Sequence, residues 1–171
     1  MNVHEAIAAR RIVRSYKSRP IEDDKLRRVL EAGRLAPSAR NMQEWKFVVV
    51  RDKSKIQSMV EVCRGQKFVG EAGAVIVACA LQHDHVMACG QYAYPIDTAI
   101  AVNHMSLAAV QEGLGSCWIG AFYEDKAREL LGIPDSVRAV IVLTLGYPAE
   151  SPAPKPRNPF GEVFCFDSYQ A

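Results

Sequence analysis

Arg10, Arg11 and Arg14 place three guanidinium groups within five consecutive positions, and Lys17 and Arg19 extend the cationic run to residue 19. Like charges that close repel by about 1 kcal/mol per pair at 4 Å in water and by several times more in a partly dry site. After Glu5 the next carboxylate along the chain is Glu22, so no neighbour in sequence neutralises the run. A fold tolerates this if the side chains splay into solvent or converge on an anion. A guanidinium is a rigid planar fork of donors matched to phosphate oxygens, so the second arrangement has a chemical logic. Ile12 and Val13 interleave the arginines and argue for a segment drawn toward the core.

Two further stretches carry chemistry. Pro37 to Trp45 is a polar loop in which Ser38, Asn41 and Gln43 offer donors and acceptors able to read the amide-like edge of a heterocycle. The same residue types also suit a plain helix-to-strand connection. Gly113-Leu114-Gly115-Ser116-Cys117-Trp118-Ile119-Gly120 follows a helix and lacks the GxGxxG spacing, so it is not a dinucleotide fingerprint. It reads as a helix end followed by a strand, and a glycine at 120 permits backbone to approach a flat ligand closely. Cys79, His83, His85 and Cys89 have metal-ligand types but no standard spacing, and no metal is expected. Cys117 or Cys89 with His104 would suit a nucleophilic pair by type alone, but His104 falls in a nearly all-apolar helix where packing is the simpler role.

The elements that position these residues follow from periodicity. Residues 2–10 form a short opening helix. A second helix begins near Asp23 or Asp24, either of which could cap it, and Pro37 stops the chain from continuing it. Trp45–Val50 is a strand followed by a helix near 54–62. Ala74–Leu81 is a continuous apolar run suited to a strand covered on both faces. Residues 96–112 give the longest helix, apolar nearly all round, as expected of a central helix or one at a subunit contact. A helix at 124–131 and a buried strand at 137–145 complete the pattern. Five prolines between 148 and 159 then form an arm that cannot pack in the core. The arm ends in Glu162–Phe166, which reads as a strand reaching for a partner subunit.

The chain of 171 residues suits a single domain with a real core. Its net charge of +2 hides an asymmetry: residues 1–70 carry a net +8 and residues 71–171 a net −6. That split argues for a local anion site and against a nucleic-acid surface. The longest apolar stretch is half the length needed to cross a bilayer, and no signal-peptide pattern opens the chain. Five cysteines with no CxxC pair suggest free thiols in a reducing compartment, so a cytoplasmic protein is expected.

Taken in order, Arg10-Arg11-x-x-Arg14-x-Tyr16, Ala36-Pro37-Ser38-Ala39-x-Asn41-x-Gln43-x-Trp45 and Gly113–Phe122 resemble the nitroreductase family of FMN-dependent oxidoreductases. Pro156-Arg157-x-Pro159-x-x-Glu162-Val163 also resembles that family's C-terminal segment, and the likeness runs from about residue 4 to 167. The resemblance implies an α+β fold: one domain over 1–171, built as a three-layer α/β/α sandwich on a mostly antiparallel sheet. It also implies a homodimer in which the arm 148–171 exchanges its terminal strand, with FMN bound at the interface. By position, Arg10, Arg11, Ile12 and Arg14 would contact the phosphate and polar edge of the flavin, with Arg157 closing on the phosphate. Pro37, Ser38, Ala39 and Asn41 of the other subunit would line the ring. Ile119 and Gly120 would face its redox side, and Gln66 would touch its edge. NAD(P)H would supply electrons to a nitroaromatic or quinone, with no side chain required as acid or base. A flavin-binding protein without efficient turnover is the alternative. Three departures stand out. Ile12 replaces a frequent Ser, Arg40 and Glu44 replace a frequent Gly and Pro beside the ring, and Asn158 replaces a frequent basic residue.

Overall fold

A computed structural model describes residues 1–169; the last two residues of the expected arm, 170 and 171, lie outside that range. Six helices are present among the described residues: α1 (Val3–Ala9), α2 (Asp23–Arg34), α3 (Lys53–Val62), α4 (Ala93–Gln111), α5 (Glu124–Leu131) and α6 (Phe160–Val163). Four strands, β1 (Trp45–Val50), β2 (Ala74–Ala80), β3 (Gly115–Ile119) and β4 (Arg138–Gly146), form one sheet in the order β1-β2-β4-β3, with every pair antiparallel.

The period-two alternation of β2 explains the layers. All seven of its residues are buried. Val75, Val77 and Cys79 point into a core shared with Ile56, Met59 and Val62 of α3 and Ala127 of α5. Ala74, Ile76 and Ala78 point the other way, into a core shared with Leu26 and Val29 of α2 and Val102, Met105 and Ala109 of α4. A strand covered on both faces must be apolar at every position, as its sequence is. The product is the three-layer sandwich. Gly33 lets α2 and α4 approach closely, since a Cβ there would lie 2.1 Å from Met105 Cε.

Three local expectations are corrected. Helix α2 starts one residue earlier than a cap at Asp23 would allow: Glu22 is its N-cap, without a side-chain capping bond, and Asp23 and Asp24 sit in the first turn. There they favour the helix dipole instead. Helix α4 begins at Ala93, three residues before the expected start. At the C-terminus, the strand expected at 162–166 is absent: Phe160–Val163 is a short helix. An isolated strand has no ladder to satisfy its backbone. Here Phe160 and Phe164 pack on one another, ring centroids 4.4 Å apart, across a single helical turn. From Ala149 to Tyr169 the arm is exposed except at half-buried Pro152.

Candidate functional site

The arginine segment is fixed by its backbone. Val13 N–H donates to Ser116 O (3.0 Å), Lys17 N–H to Tyr147 O (2.8 Å), and Ser15 O accepts from Ala149 N–H (2.9 Å). Ile12 bridges Ser116 of β3 in parallel, and Tyr16 bridges Pro148. Two more amides reach carboxylates distant in sequence: Arg14 N–H donates to Glu150 (2.5 Å) and Tyr16 N–H to Glu71 (3.0 Å). The negative charge missing from the local sequence therefore arrives through the fold, but it lands on backbone amides and leaves the guanidinium groups of Arg10, Arg11 and Arg14 without a carboxylate partner among the described residues. Interleaving works at only one of its two positions. Val13 is buried, whereas Ile12 is 46% exposed, because adjacent residues of an extended segment face opposite sides.

Below the segment, the buried Tyr16 hydroxyl donates to Val13 O (2.8 Å) and bonds the Thr144 hydroxyl of β4 (2.7 Å). Burial pushes the Tyr16 phenol above its ordinary value, only partly opposed by Thr144, so it stays a neutral staple.

The three arginines are not equivalent. Arg11 Nη1 donates to Ala8 O (2.6 Å) and Arg10 O (3.0 Å), satisfying orphan carbonyls at the end of α1. Arg14 lies beside the Cys117 thiol. Among the described residues, ion pairs engage Arg19, Arg28, Arg34, Arg51, Lys126, Arg128 and Arg138, and none engages Arg10, Arg11, Arg14 or Arg157. Lys17 and Arg19 stand apart. Arg19 pairs with Glu22 (2.6 Å) and stacks 4.1 Å over the Tyr147 ring.

Strand β3 carries the chain from Ser116, beside Ile12, to buried Ile119 and exposed Gly120. A Cβ on Gly120 would meet nothing within 4 Å, so its backbone faces open space able to accept a flat group. Gln66 Nε2 donates to Cys63 O (2.9 Å) and to Ala121 O (3.3 Å), placing this amide beside the same turn. One chain thus gathers Arg10, Arg11, Ile12, Arg14, Gln66, Ile119 and Gly120 around the β3 edge. Guanidinium groups without carboxylate partners near the start of β3, and an open backbone turn at its end, fit a phosphate joined to a planar ring.

Pro37, Ser38, Ala39 and Asn41 are not part of that cluster. Their loop precedes β1, and β1 and β3 are opposite edges of the sheet. The loop is strained: Arg40, Asn41 and Gln43 have φ of 52°, 55° and 54°, the left-handed region costly to residues with a Cβ. Asp97 of α4 holds it by accepting from Ala39 N–H (3.0 Å), and the Ser38 hydroxyl accepts from Gln43 N–H (3.0 Å). Arg157 shares no hydrogen bond with that cluster: among the described residues its Nη1 donates to the carbonyls of Lys155 and Pro156.

Sequence reasoning missed Glu71, Glu150, Thr144 and Asp97. Only Asp97 had a signal, as the sole carboxylate in an otherwise apolar helix. The nucleophilic alternative at Cys117 finds little support: burial raises its thiol, only partly opposed by Arg14. Among the described residues no three His, Cys, Asp or Glu side chains converge as metal ligands, and no helix is long and apolar enough to cross a membrane.

Comparison with known proteins places this geometry in context. The sequence profile of the nitroreductase family matches residues 7–147. A protein of Archaeoglobus fulgidus named as an NADH dehydrogenase/NAD(P)H nitroreductase is 37% identical over 151 residues, which cover 84% of each chain. The crystal structure of a nitroreductase family protein from Clostridium novyi superposes with a TM-score of 0.81 at 33% identity, over 91% of this chain and 89% of that one. An NADPH:FMN oxidoreductase from Vibrio harveyi, solved with NAD+, gives a TM-score of 0.90 at 27% identity, over the whole of this chain and 79% of its own.

Proposed function

The chain belongs to the nitroreductase family and is an NAD(P)H-dependent oxidoreductase, and from that premise we propose that it works with FMN and passes electrons to a flat acceptor such as a nitroaromatic or a quinone. The observation that carries the proposal is the set of guanidinium groups without carboxylate partners on the segment bridged to the start of β3, the strand that ends at the open turn of Gly120. Bound FMN would supply the hydride and electron chemistry.

This chain's residues bind and orient. Arg10 and Arg14 offer planar donor forks to the phosphate and to the polar edge of the ring, where they favour added negative charge. Arg11 contributes with the donors its helix-capping role leaves over. Val13, Tyr16 and Thr144 hold the segment so that these side chains need not reorganise on binding. Ile119 and Gly120 present main chain to the face of the ring, and Gln66 stands at its edge. No side chain is required as acid or base.

In a homodimer, the partner would bring its loop 37–41 over the ring and its Arg157 onto the phosphate. The exposed apolar surface suits such an assembly: Phe160 is 67% and Phe166 72% exposed on an arm with no core to enter. Free thiols at Cys63, Cys79, Cys89 and Cys117 are in keeping with a reducing, cytoplasmic setting.

The test is an anaerobic titration of protein loaded with FMN. Addition of NADH or NADPH is expected to bleach the flavin absorbance, and menadione or a nitroarene to restore it. No bleaching with either nucleotide would leave a flavin-binding protein without turnover. A protein that takes up no FMN would remove the proposal altogether.

A further inference from the structure

At the end of the sheet where β1 finishes and β2 begins, the connection 17–21, the start of α3 and residues 70–73 enclose a cavity of about 450 Å³. That volume lies within the range of small-molecule sites. None of the residues placed at the cofactor site lines it. Tyr16 and Glu71 of its lining also brace the backbone of the arginine segment, but Arg10, Arg11 and Arg14 themselves do not line it.

The cavity has a two-part chemistry. Its floor is apolar, formed by the buried side chains of Tyr16, Ile21, Ile56 and Ala72. Its rim is cationic: Arg19, Arg51 and Lys53 face a single lining carboxylate, Glu71, which already accepts from Tyr16 N–H at 3.0 Å. Arg19 and Arg51 pair with Glu22 and Asp23, two exposed carboxylates outside the lining, and Lys53 has no ion pair among the described residues. Exposed pairs of that kind are worth little and rearrange readily. The Ser18 hydroxyl, also in the wall, has no hydrogen-bond partner among the described residues. One carboxylate excludes a multivalent cation, and three cations disfavour a purely apolar guest.

We propose that this cavity is a second binding site, separate from the cofactor site, for a small aromatic carboxylate whose ring rests on the apolar floor and whose charge meets Lys53 and Arg51. The proposal stands apart from the FMN reading, because no step in it uses the flavin.

The experiment is a calorimetric titration of the full chain, saturated with FMN, using 2-naphthoate and its neutral analogue 2-naphthamide, with the amide resonances of Gly70, Gly73 and Gly120 followed in parallel. The expected result is saturable binding of naphthoate with Kd of about 1 mM or tighter, at least about tenfold weaker binding of the amide, and shifts at Gly70 and Gly73 without shifts at Gly120. Lys53→Glu, an exposed substitution, is expected to weaken naphthoate at least about tenfold. No saturation, equal affinity for the amide, shifts confined to Gly120, or unchanged affinity in Lys53→Glu would each overturn the proposal. Failure of the protein to bind FMN would sink the proposed function alone, and the same titration on the flavin-free chain would still decide this one.

Discussion

The arginine segment and the C-terminal arm both carry cations assigned to one phosphate, but their supports have nothing in common. Around Arg14 the chain is pinned at nearly every residue: to Ser116 and Tyr147 by main chain, to Glu71 and Glu150 by carboxylates, and to Thr144 through Tyr16. Around Arg157 the side chain hydrogen-bonds, among the described residues, to the carbonyls of its two predecessors alone, and the flanking residues are exposed. One half of the proposed clamp is built by a single chain at the cost of folding. The other gains a position only from something outside the chain, and a second copy is the occupant that the family resemblance implies. Substitutions in the first half should therefore move stability and FMN affinity together, and substitutions in the second should move affinity alone.

The largest effect is expected at Gly115. A Cβ there would sit 2.6 Å from Val13 Cγ2 and 2.8 Å from Val13 Cβ, and a β-branched neighbour has little freedom to yield. Gly115→Ala should cost about 2–3 kcal/mol in chemical denaturation and weaken FMN binding, because Val13 would carry Arg14 with it. Loss of stability with FMN affinity intact would break the link between support and site.

Next comes the strained loop. Arg40 has φ 52° and ψ 20°, a conformation costing about 1–2 kcal/mol for a residue with a Cβ. Against that stands the greater unfolded-state freedom of glycine, about 0.5–1 kcal/mol. Arg40→Gly should therefore raise stability by about 0.5–1 kcal/mol, seen as a higher denaturation midpoint.

A smaller effect concerns the far end of the arginine segment. Hydrogen bonding from the Tyr147 hydroxyl, helped by Arg19, holds the Glu22 carboxyl down at about 2. A depressed carboxylate stabilises the fold above its unfolded value of about 4.3 and loses that contribution as pH falls through about 2. Wild type should thus lose its advantage over Glu22→Gln between about pH 4.5 and pH 2, measured as the difference between their thermal midpoints. A constant difference across that range would refute the coupling. Smallest of all, Arg157→Ala should leave the midpoint of the flavin-free chain unmoved while raising the Kd for FMN.

The same contrast marks what the sequence could disclose. Strand β2 was legible because a strand buried on both faces has to be apolar throughout, and the C-terminal end of α5 was legible through the left-handed Gly132. The arginine run was visible as charge, since repulsion without local compensation demands a purpose. Its actual compensation was not visible, because Glu71 and Glu150 reach it across 55 and 136 residues and bind main chain, which carries no residue code. Glu162–Phe166 misled for a related reason. Alternating apolar residues predict a strand only if a neighbouring strand exists, and in a single chain Phe160 and Phe164 find each other first.

The central claim is that the guanidinium groups at 10 and 14 recognise a phosphate. Its most direct test compares equilibrium binding of FMN with that of riboflavin, which has the same ring and no phosphate, in wild type and in Arg14→Ala. Charge-assisted bonds of about 1.5–3 kcal/mol predict FMN binding roughly 10- to 100-fold tighter than riboflavin in wild type, with much of that preference lost in the variant. Equal affinities for the two flavins in wild type, or an undiminished preference in Arg14→Ala, would contradict the account.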